Sequence, residues 1–293
     1  MLHELRAALE RADFTTERIE AAFGGAVLST ASAETAAHRR RLAGDDPFST
    51  IARLFVLGDP VEPSVLEAAL APVALDDLAA LGLLVVESES ARATVRLLPH
   101  GDYILASDHV AATPSADWVA GIHAPSVTLA KLAVRRRSEV TLDVGTGCGI
   151  QALLAAKHST RVVATDVNER ALAFARFNAA LNGIEAIDFR AGTLLEPVGE
   201  ERFDLVVANP PYVISPDTTF AYRDSGLPRD TLCRRLVEGV PDVLAEGGFA
   251  HILVSWTHPS GDGDEWAEPL REWVRGSGCD AWLLHYRTDD ALS

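Results

Sequence analysis

Cysteine is scarce in this sequence, which has three such residues, Cys148, Cys233 and Cys279. Their wide separation matches no metal-binding spacing, and an odd number argues against a framework of disulfides. The sequence also lacks an apolar run of about 18 residues, the length that a membrane-spanning helix needs. We therefore expect a reduced, cytoplasmic setting, with no bound metal and no membrane partner.

Positively charged residues are outnumbered: the sequence has 26 Lys and Arg residues and 42 Asp and Glu residues, which gives a net charge of −16. Such a chain does not attract phosphate backbones over its whole surface. Two basic clusters stand out, Arg39–Arg41 and Arg135–Arg137, and each is typical of a solvated helix face. If the two clusters met beside a pocket, they would instead favour nucleic acid.

The 293 residues divide by pattern into two regions, which we predict to be domains at 1–110 and 111–293. The first region has short helices followed by two predicted strands, Leu83–Glu87 and Thr94–Leu98, an arrangement typical of a winged helix. Its predicted recognition helix, Leu75–Leu81, carries aspartates and no Lys or Arg, which makes a poor surface for phosphates. We expect this region to dock a substrate or to cover the active site.

Apolar runs alternate with helical stretches from about residue 126 onward. This alternation predicts βαβ units and a parallel sheet that is covered on both faces, so the predicted fold class is α/β. The predicted strands are Val140–Val144, Val162–Thr165, Ala186–Phe189, Leu205–Ala208, Phe249–Val254 and Trp282–His285.

The stretch TLDVGTGCGIQALLAA, residues 141–156, predicts a strand, a glycine-rich turn and the start of a helix. Gly145, Gly147 and Gly149 permit tight backbone angles and the close approach of a ligand. The spacing G-x-G-x-G differs from the dinucleotide pattern G-x-G-x-x-G, and the turn lacks the lysine of a phosphate-binding P-loop. Asp143, just ahead of the turn, suits a cationic ligand better than a pyrophosphate.

The next predicted strand ends at Asp166, about 20 residues beyond the glycines, where an acid can accept hydrogen bonds from ribose hydroxyls. The alternative for Asp166 is a helix cap ahead of Asn168 and Glu169. A ligand with a ribose, a cationic amino-acid part and no phosphate is S-adenosylmethionine. We therefore predict this cofactor.

A third stretch, VVANPPYVIS at 206–215, leaves a predicted strand directly into two prolines, which alone would be an ordinary turn. Together, LDVGTGCGI, VVATDVN and FDLVVANPPYV resemble the class I S-adenosylmethionine-dependent methyltransferases. More narrowly, they resemble the branch that includes release-factor glutamine methyltransferases and enzymes that N-methylate nucleobases. The resemblance covers about residues 120–290. It implies a Rossmann-like sheet with an antiparallel seventh strand, which we expect to be missing here or replaced by another segment.

The resemblance implies roles at matching positions. Asp143, Gly145 and Gly147 would line the methionine end of the cofactor, and Asp166 would hold the ribose. Thr193 stands where relatives often place an aspartate against the adenine amine, so its hydroxyl or the backbone would replace that contact. The full set of expected cofactor-binding residues is Asp143, Gly145, Thr146, Gly147, Gly149, Asp166, Val167, Gly192, Thr193 and Asn209.

The resemblance also gives the Asn-Pro-Pro-Tyr motif a task, because both groups of relatives methylate a planar NH₂ group. The Asn209 side-chain oxygen and the Pro210 carbonyl would accept hydrogen bonds from this group. These bonds would orient the nitrogen and stabilise the positive charge that develops on it. Tyr212 would stack on the flat acceptor. The expected catalytic residues are therefore Asn209, Pro210 and Tyr212.

These features favour an N-methyltransferase that acts on a glutamine side chain of a protein, because the acidic surface disfavours nucleic acid. A nucleobase amine in RNA or DNA is the main alternative, and a small-molecule acceptor comes third. A winged-helix regulator that senses S-adenosylmethionine is the non-enzymatic alternative. The acceptor motif argues against a sensor, since a sensor needs no clamp for an NH₂ group.

Overall fold

The structure, a computed structural model, describes residues 1–25, 32–109, 115–211, 230–258 and 264–286. Tyr212, one of the expected catalytic residues, lies outside these ranges. Within them, no helix combines the length and the apolar character needed to cross a lipid bilayer.

The N-terminal region is mainly helical, as predicted. Its helices begin at side-chain caps where the sequence provides them: Thr15 accepts a hydrogen bond from the Arg18 amide (3.2 Å), and Asp46 accepts one from the Ser49 amide (3.1 Å). The helices are α1 (Leu2–Arg11), α2 (Thr16–Phe23), α3 (Ser32–Arg41), α4 (Pro47–Ala52), α5 (Pro63–Leu70) and α6 (Leu75–Ala80), with a π-helical segment at Arg53–Leu57.

Two short hairpins follow α6, where the sequence predicted one. Strand β1 (Leu84–Val86) pairs with β2 (Ala91–Ala93), and β3 (Arg96–His100) pairs with β4 (Tyr103–Ser107). The predicted strand at 94–98 overlaps β3, but its predicted pairing was wrong, because residues 96–98 pair with β4 and not with β1. A tight turn at Gly101, which has a φ of 56°, closes this second hairpin. The winged-helix assignment stays a prediction.

The second region contains a five-stranded parallel sheet with the order β7-β6-β5-β8-β9. This sheet and its flanking helices confirm the predicted Rossmann-like α/β class. The strands are β5 (Ser138–Val144), β6 (Ser159–Asp166), β7 (Ile187–Ala191), β8 (Phe203–Ala208) and β9 (Leu244–Ile252). The helices are α7 (Ala124–Leu132), α8 (Ile150–Ala155), α9 (Glu169–Leu181), α10 (Thr231–Gly239) and α11 (Glu268–Val274).

The predicted strand at Trp282–His285 was wrong, because this segment is irregular and no sixth or seventh strand joins the sheet in the described part of the chain. Its side chains still alternate. Leu283 packs on the apolar cluster around α10 and α11, and His285 stacks on Trp266 with ring centroids 4.8 Å apart. Trp282 is 91% exposed. Side-chain packing on one face therefore holds the segment, without backbone pairing.

Helix α9 joins the two regions. Leu181 is buried in the same apolar core as α1, α4 and α5, and Phe174 and Phe177 pack against this core. At the other end of the helix, Arg170 forms a two-bond ion pair with Asp108, which follows β4. The N-terminal region therefore packs directly on the parallel sheet's own helix layer, and the boundary at 110–111 stays a prediction.

Removal of the Phe203 side chain should destabilise the sheet region strongly. Phe203 is fully buried at the start of β8, so Phe203→Ala should lower the free energy of unfolding by about 3–5 kcal/mol. Phe249→Ala on the neighbouring strand is the matched control, because that ring is 40% exposed and should cost much less. Urea unfolding of both variants measures the difference, and equal losses would contradict the packing.

Candidate functional site

The predicted glycine turn, Asp166 and Asn209 meet at the carboxyl edge of the sheet. Val144, at the end of β5, is in register with Thr165 of β6 on one side and Ala208 of β8 on the other. The residues that follow these three strands are therefore neighbours. This point, where the strand order reverses direction around β5, is where open α/β sheets bind ligands.

The glycine loop at 145–149 is a tight turn held to the neighbouring strand. The Thr146 amide donates to the Thr165 carbonyl (2.9 Å). Gly149 has a φ of 89°, and a Cβ added there would lie 3.0 Å from the Cβ of Ala175 on α9. Glycine is therefore required at this position both for the backbone angle and for packing against α9.

Asp143 lies beneath the loop and braces it. Its carboxylate accepts hydrogen bonds from the Thr146 hydroxyl (2.6 Å) and from the Ala152 amide in the first turn of α8 (3.0 Å), and the residue is 1% exposed. Burial raises the pKa of Asp143 to about 7, and the nearby Asp166 adds to the rise. Asp143 thus shapes the loop, and its expected contact with the cofactor stays a prediction.

Asp166 faces the loop from the end of β6. One carboxylate oxygen accepts a hydrogen bond from the Gly147 amide and the other from the Asn168 amide, both at 2.9 Å. Burial raises the pKa of this carboxyl, and the amide donors oppose the rise. The helix-cap alternative for Asp166 was wrong, because Asn168 caps α9 by accepting from the Arg170 amide (2.9 Å).

The other residues expected near the cofactor surround Asp166. Val167 follows it and is 66% exposed. The Gly192 amide donates to the Asp166 carbonyl (3.0 Å), which places the turn after β7 beside β6. Thr193 is exposed on this turn, and its carbonyl accepts from the Glu196 amide (3.0 Å). The proposed contact of Thr193 with an adenine stays a prediction.

Asn209 follows β8 at the same edge, and the two polar atoms of its side chain differ in their hydrogen bonding. Its Nδ2 donates to the Ser126 hydroxyl at 3.4 Å, whereas its Oδ1 is buried with no hydrogen-bond partner among the described residues. Pro210 is buried beside it. Ser126 was missed from the sequence, because a serine in the first turn of α7 looks like an ordinary helix start.

The basic clusters do not frame this site. Arg135–Arg137 come just before β5, so they lie at the amino edge of the parallel sheet, opposite the glycine loop. The Arg136 guanidinium lies over the Phe249 ring, 5.2 Å from its centroid. Arg39 pairs with Asp59 (2.6 Å) in the N-terminal region. Among the residues that the structure describes, no group of His, Cys, Asp and Glu side chains is arranged to hold a metal ion.

Comparisons with known proteins identify the sequences to which this chain is similar. A family model described as "Methyltransferase small domain" matches residues 123–258, and a model described as a domain of unknown function matches residues 11–94. The release factor glutamine methyltransferase of Xylella fastidiosa (strain Temecula1) is 33% identical over 149 residues, which cover 45% of this chain and 54% of that protein. The chain thus spans about half the length of the first such relatives.

Two further proteins extend the comparison. A Methanocaldococcus jannaschii protein, provisionally named a protein N5-glutamine methyltransferase, is 31% identical over 138 residues, or 44% of this chain and 68% of that protein. The crystal structure of a ribosomal protein L11 methylase from Lactobacillus delbrueckii subsp. bulgaricus aligns with a TM-score of 0.38 and 24% identity, and it covers 54% of this chain and 70% of that one.

The buried Asp143 should make stability depend on pH. Its pKa rises from 3.8 to about 7 on folding, so the folded protein keeps a proton that the unfolded chain releases. The stabilisation is complete below pH 4 and is lost as the pH rises to about 7. Asp143→Asn removes this group, so the wild type should lose up to about 4 kcal/mol relative to the variant across that range.

Urea unfolding of both proteins without cofactor, from pH 4 to pH 7.5, measures this difference. Parallel pH profiles for wild type and Asp143→Asn would contradict the assigned protonation of Asp143.

Proposed function

We propose a methyl-transfer reaction for this protein, because the chain belongs to the methyltransferase small-domain family. The proposed donor is S-adenosylmethionine, and the proposed acceptor is the side-chain amide of a glutamine in a protein. The observation that carries the proposal is the Asn209 Oδ1 atom, which is buried without a hydrogen-bond partner among the described residues. A simple turn has no use for such an acceptor, whereas a clamp for an NH₂ group requires one.

The residues at the carboxyl edge fit the proposed cofactor. Each Asp166 oxygen accepts one backbone hydrogen bond and keeps lone-pair capacity for a ribose hydroxyl. The glycine loop allows close approach of a ligand to the backbone. The Asp166 carboxylate at this edge suits a ligand that carries hydroxyls and a positive charge. When bound, S-adenosylmethionine supplies an electrophilic methyl group on a positively charged sulfur.

The acceptor chemistry follows from the nature of an amide. Its nitrogen is a poor nucleophile because the lone pair is delocalised into the carbonyl group. Hydrogen bonds from the NH₂ group to Asn209 Oδ1 and to the Pro210 carbonyl would hold the nitrogen in line with the methyl carbon. The nitrogen–carbon bond forms as the carbon–sulfur bond breaks, and the electron pair stays on sulfur.

The same two acceptors would stabilise the positive charge that the nitrogen gains during transfer. The nitrogen then loses a proton to solvent, which leaves an N-methylated amide. Asn209 and Pro210 are thus the proposed catalytic residues. Tyr212, proposed to stack on the acceptor, lies outside the described residues.

Charge supports a protein acceptor over a nucleic acid. The net charge of −16 opposes binding to a phosphate backbone, and Asp76 and Asp77 lie on α6 of the N-terminal region. The Arg135–Arg137 cluster lies at the opposite edge of the sheet from Asn209. The name of the Xylella fastidiosa relative supports a glutamine in a translation factor, and such a substrate would place the enzyme in the cytoplasm.

The cofactor assignment predicts the effect of Asp166→Ala. Loss of the carboxylate would leave ribose hydroxyls unpaired, so binding of S-adenosylmethionine should weaken by about 1–3 kcal/mol. Isothermal titration calorimetry measures this change. Asp188→Ala is the control, because Asp188 lies on β7 with a side chain 47% exposed and pairs with Arg190. Unchanged affinity in Asp166→Ala would remove Asp166 from the cofactor site.

The proposed hydrogen bond from the acceptor NH₂ group to Asn209 predicts a different outcome for Asn209→Ala. This variant should bind S-adenosylmethionine as the wild type does but transfer methyl groups about a hundredfold more slowly or worse, since a transition-state contact is lost. Comparison of calorimetric affinity with single-turnover rates separates the two effects. Near-normal turnover would return the motif to the role of a turn.

The acceptor itself is tested in a cell extract that is incubated with methyl-labelled S-adenosylmethionine and the wild-type protein, with Asn209→Ala as the blank. We expect label in a protein band that survives ribonuclease and deoxyribonuclease, with N-methylglutamine after digestion. Label that disappears with either nuclease would instead indicate that the methyl acceptor is a nucleobase amine. A protein that binds the cofactor but labels nothing would fit a sensor.

A further inference from the structure

Asn178 on α9 and Asn182, the residue that follows the end of α9, are paired with the backbone of β4. Asn182 accepts a hydrogen bond from the Ile104 amide (3.0 Å) and donates to the Ile104 carbonyl (2.8 Å). Asn178 does the same with Ala106, accepting at 2.7 Å and donating at 2.9 Å. The two side-chain amides thus take the place of a neighbouring strand along this edge of β4.

Asn178 makes one more hydrogen bond, to the glycine loop, whereas Asn182 also accepts from the Arg6 guanidinium and donates to the backbone carbonyl of Asn178. The Asn178 Nδ2 also donates to the carbonyl of Cys148 in the glycine loop, at 2.8 Å. In a regular helix the Cys148 carbonyl would accept from the Ala152 amide, four residues later. Here the Ala152 amide donates to Asp143. Three bonds fix the orientation of the Asn178 amide, because a flipped amide would set its oxygen against two carbonyls. The side chain is fully buried.

The same stretch of α9 also contacts the loop by packing. A Cβ added at Gly149 would lie 3.0 Å from the Cβ of Ala175, one turn before Asn178, so the loop backbone rests directly on this helix. One buried side chain therefore connects a strand of the N-terminal region, a helix of the sheet region and the loop that the proposed cofactor would contact.

We propose that Asn178 is a positioning residue that couples docking of the N-terminal region on α9 to the binding conformation of the glycine loop. This inference rests on the proposed function, because it assigns the loop to S-adenosylmethionine. If loop order requires the Asn178 bond, then β4 and the cofactor stabilise the same arrangement. Each must then strengthen the other by the same factor, since coupling between two sites is reciprocal.

The first test needs no cofactor and compares Asn178→Ala with Asn182→Ala, both in a Cys279→Ser background that removes the exposed thiol. Both variants lose the paired bonds to β4, but only Asn178→Ala loses the bond to the loop. Burial raises the pKa of the Cys148 thiol to about 11, so it should be inert to a disulfide reagent at pH 8. We expect the Cys148 thiol to react about tenfold faster or more in Asn178→Ala, and at the wild-type rate in Asn182→Ala.

The second test is the calorimetric affinity for S-adenosylmethionine. Asn178→Ala should raise the dissociation constant about tenfold, the effect of one buried hydrogen bond, and Asn182→Ala should change it less than twofold. Equal effects of the two variants, on thiol reactivity or on affinity, would overturn the proposal and leave both asparagines as structural contacts. A wild type that does not bind S-adenosylmethionine would contradict the proposed function, while the thiol test would still report on the Asn178 bond.

If Asn178→Ala does not fold, hydrogen–deuterium exchange of the wild type tests the same coupling. Addition of S-adenosylmethionine should slow exchange in β4, including the Ala106 amide, at least about fivefold, the lower end of typical coupling factors. Protection that is confined to the glycine loop and the turn after β6, with β4 unchanged, would overturn the proposal.

Discussion

Strand β5 is hydrogen-bonded to a parallel strand on each side, and this constraint sets the positions of all the residues at the carboxyl edge. The register that pairs Val144 with both Thr165 and Ala208 leaves no freedom in where the next residues emerge. Asp166 and Asn209 are 43 positions apart in sequence, yet each comes directly after, or at the end of, a strand that flanks β5. The glycine loop between them must turn sharply, because α8 starts only six residues after β5 ends.

The buried polar groups around this loop differ in how many hydrogen bonds they make. This difference distinguishes the residues that support the loop from the residue proposed to contact the acceptor. Asn178 makes three hydrogen bonds, so its burial costs little and fixes the loop. Asp143 also braces the loop by two hydrogen bonds, but its burial disfavours the charged form, which raises its pKa. Asn209 Oδ1 is buried with no partner among the described residues, which costs about 1–3 kcal/mol in a folded protein. A protein keeps such a cost where a ligand group completes the pairing, which is the role proposed for the acceptor NH₂.

Local patterns predicted the sheet and the loop but not the junction between the regions. Five of the six predicted strands formed because each is a compact apolar run that is recognisable without knowledge of its partners. The strand at Trp282–His285 alternates in the same way, yet only one of its faces has an apolar surface to cover. One hairpin was predicted where two form, because β2 (Ala91–Ala93) is only three residues long and gives too short a pattern to be recognised as a strand. Asn178 gave no signal at all, since its partner Ala106 is 72 residues away.

Charge at the loop explains how a turn of this kind can distinguish between ligands. Glycine-rich loops that lead into helices commonly bind phosphate, because their amides and the helix end attract anions. Here two of those amides are already paired with aspartate side chains: the Gly147 amide donates to Asp166, and the Ala152 amide donates to Asp143. A phosphate would have to displace a carboxylate and then lie beside it. A ligand with hydroxyls and a positive charge needs neither, because it adds donors to oxygens that the loop already holds in place.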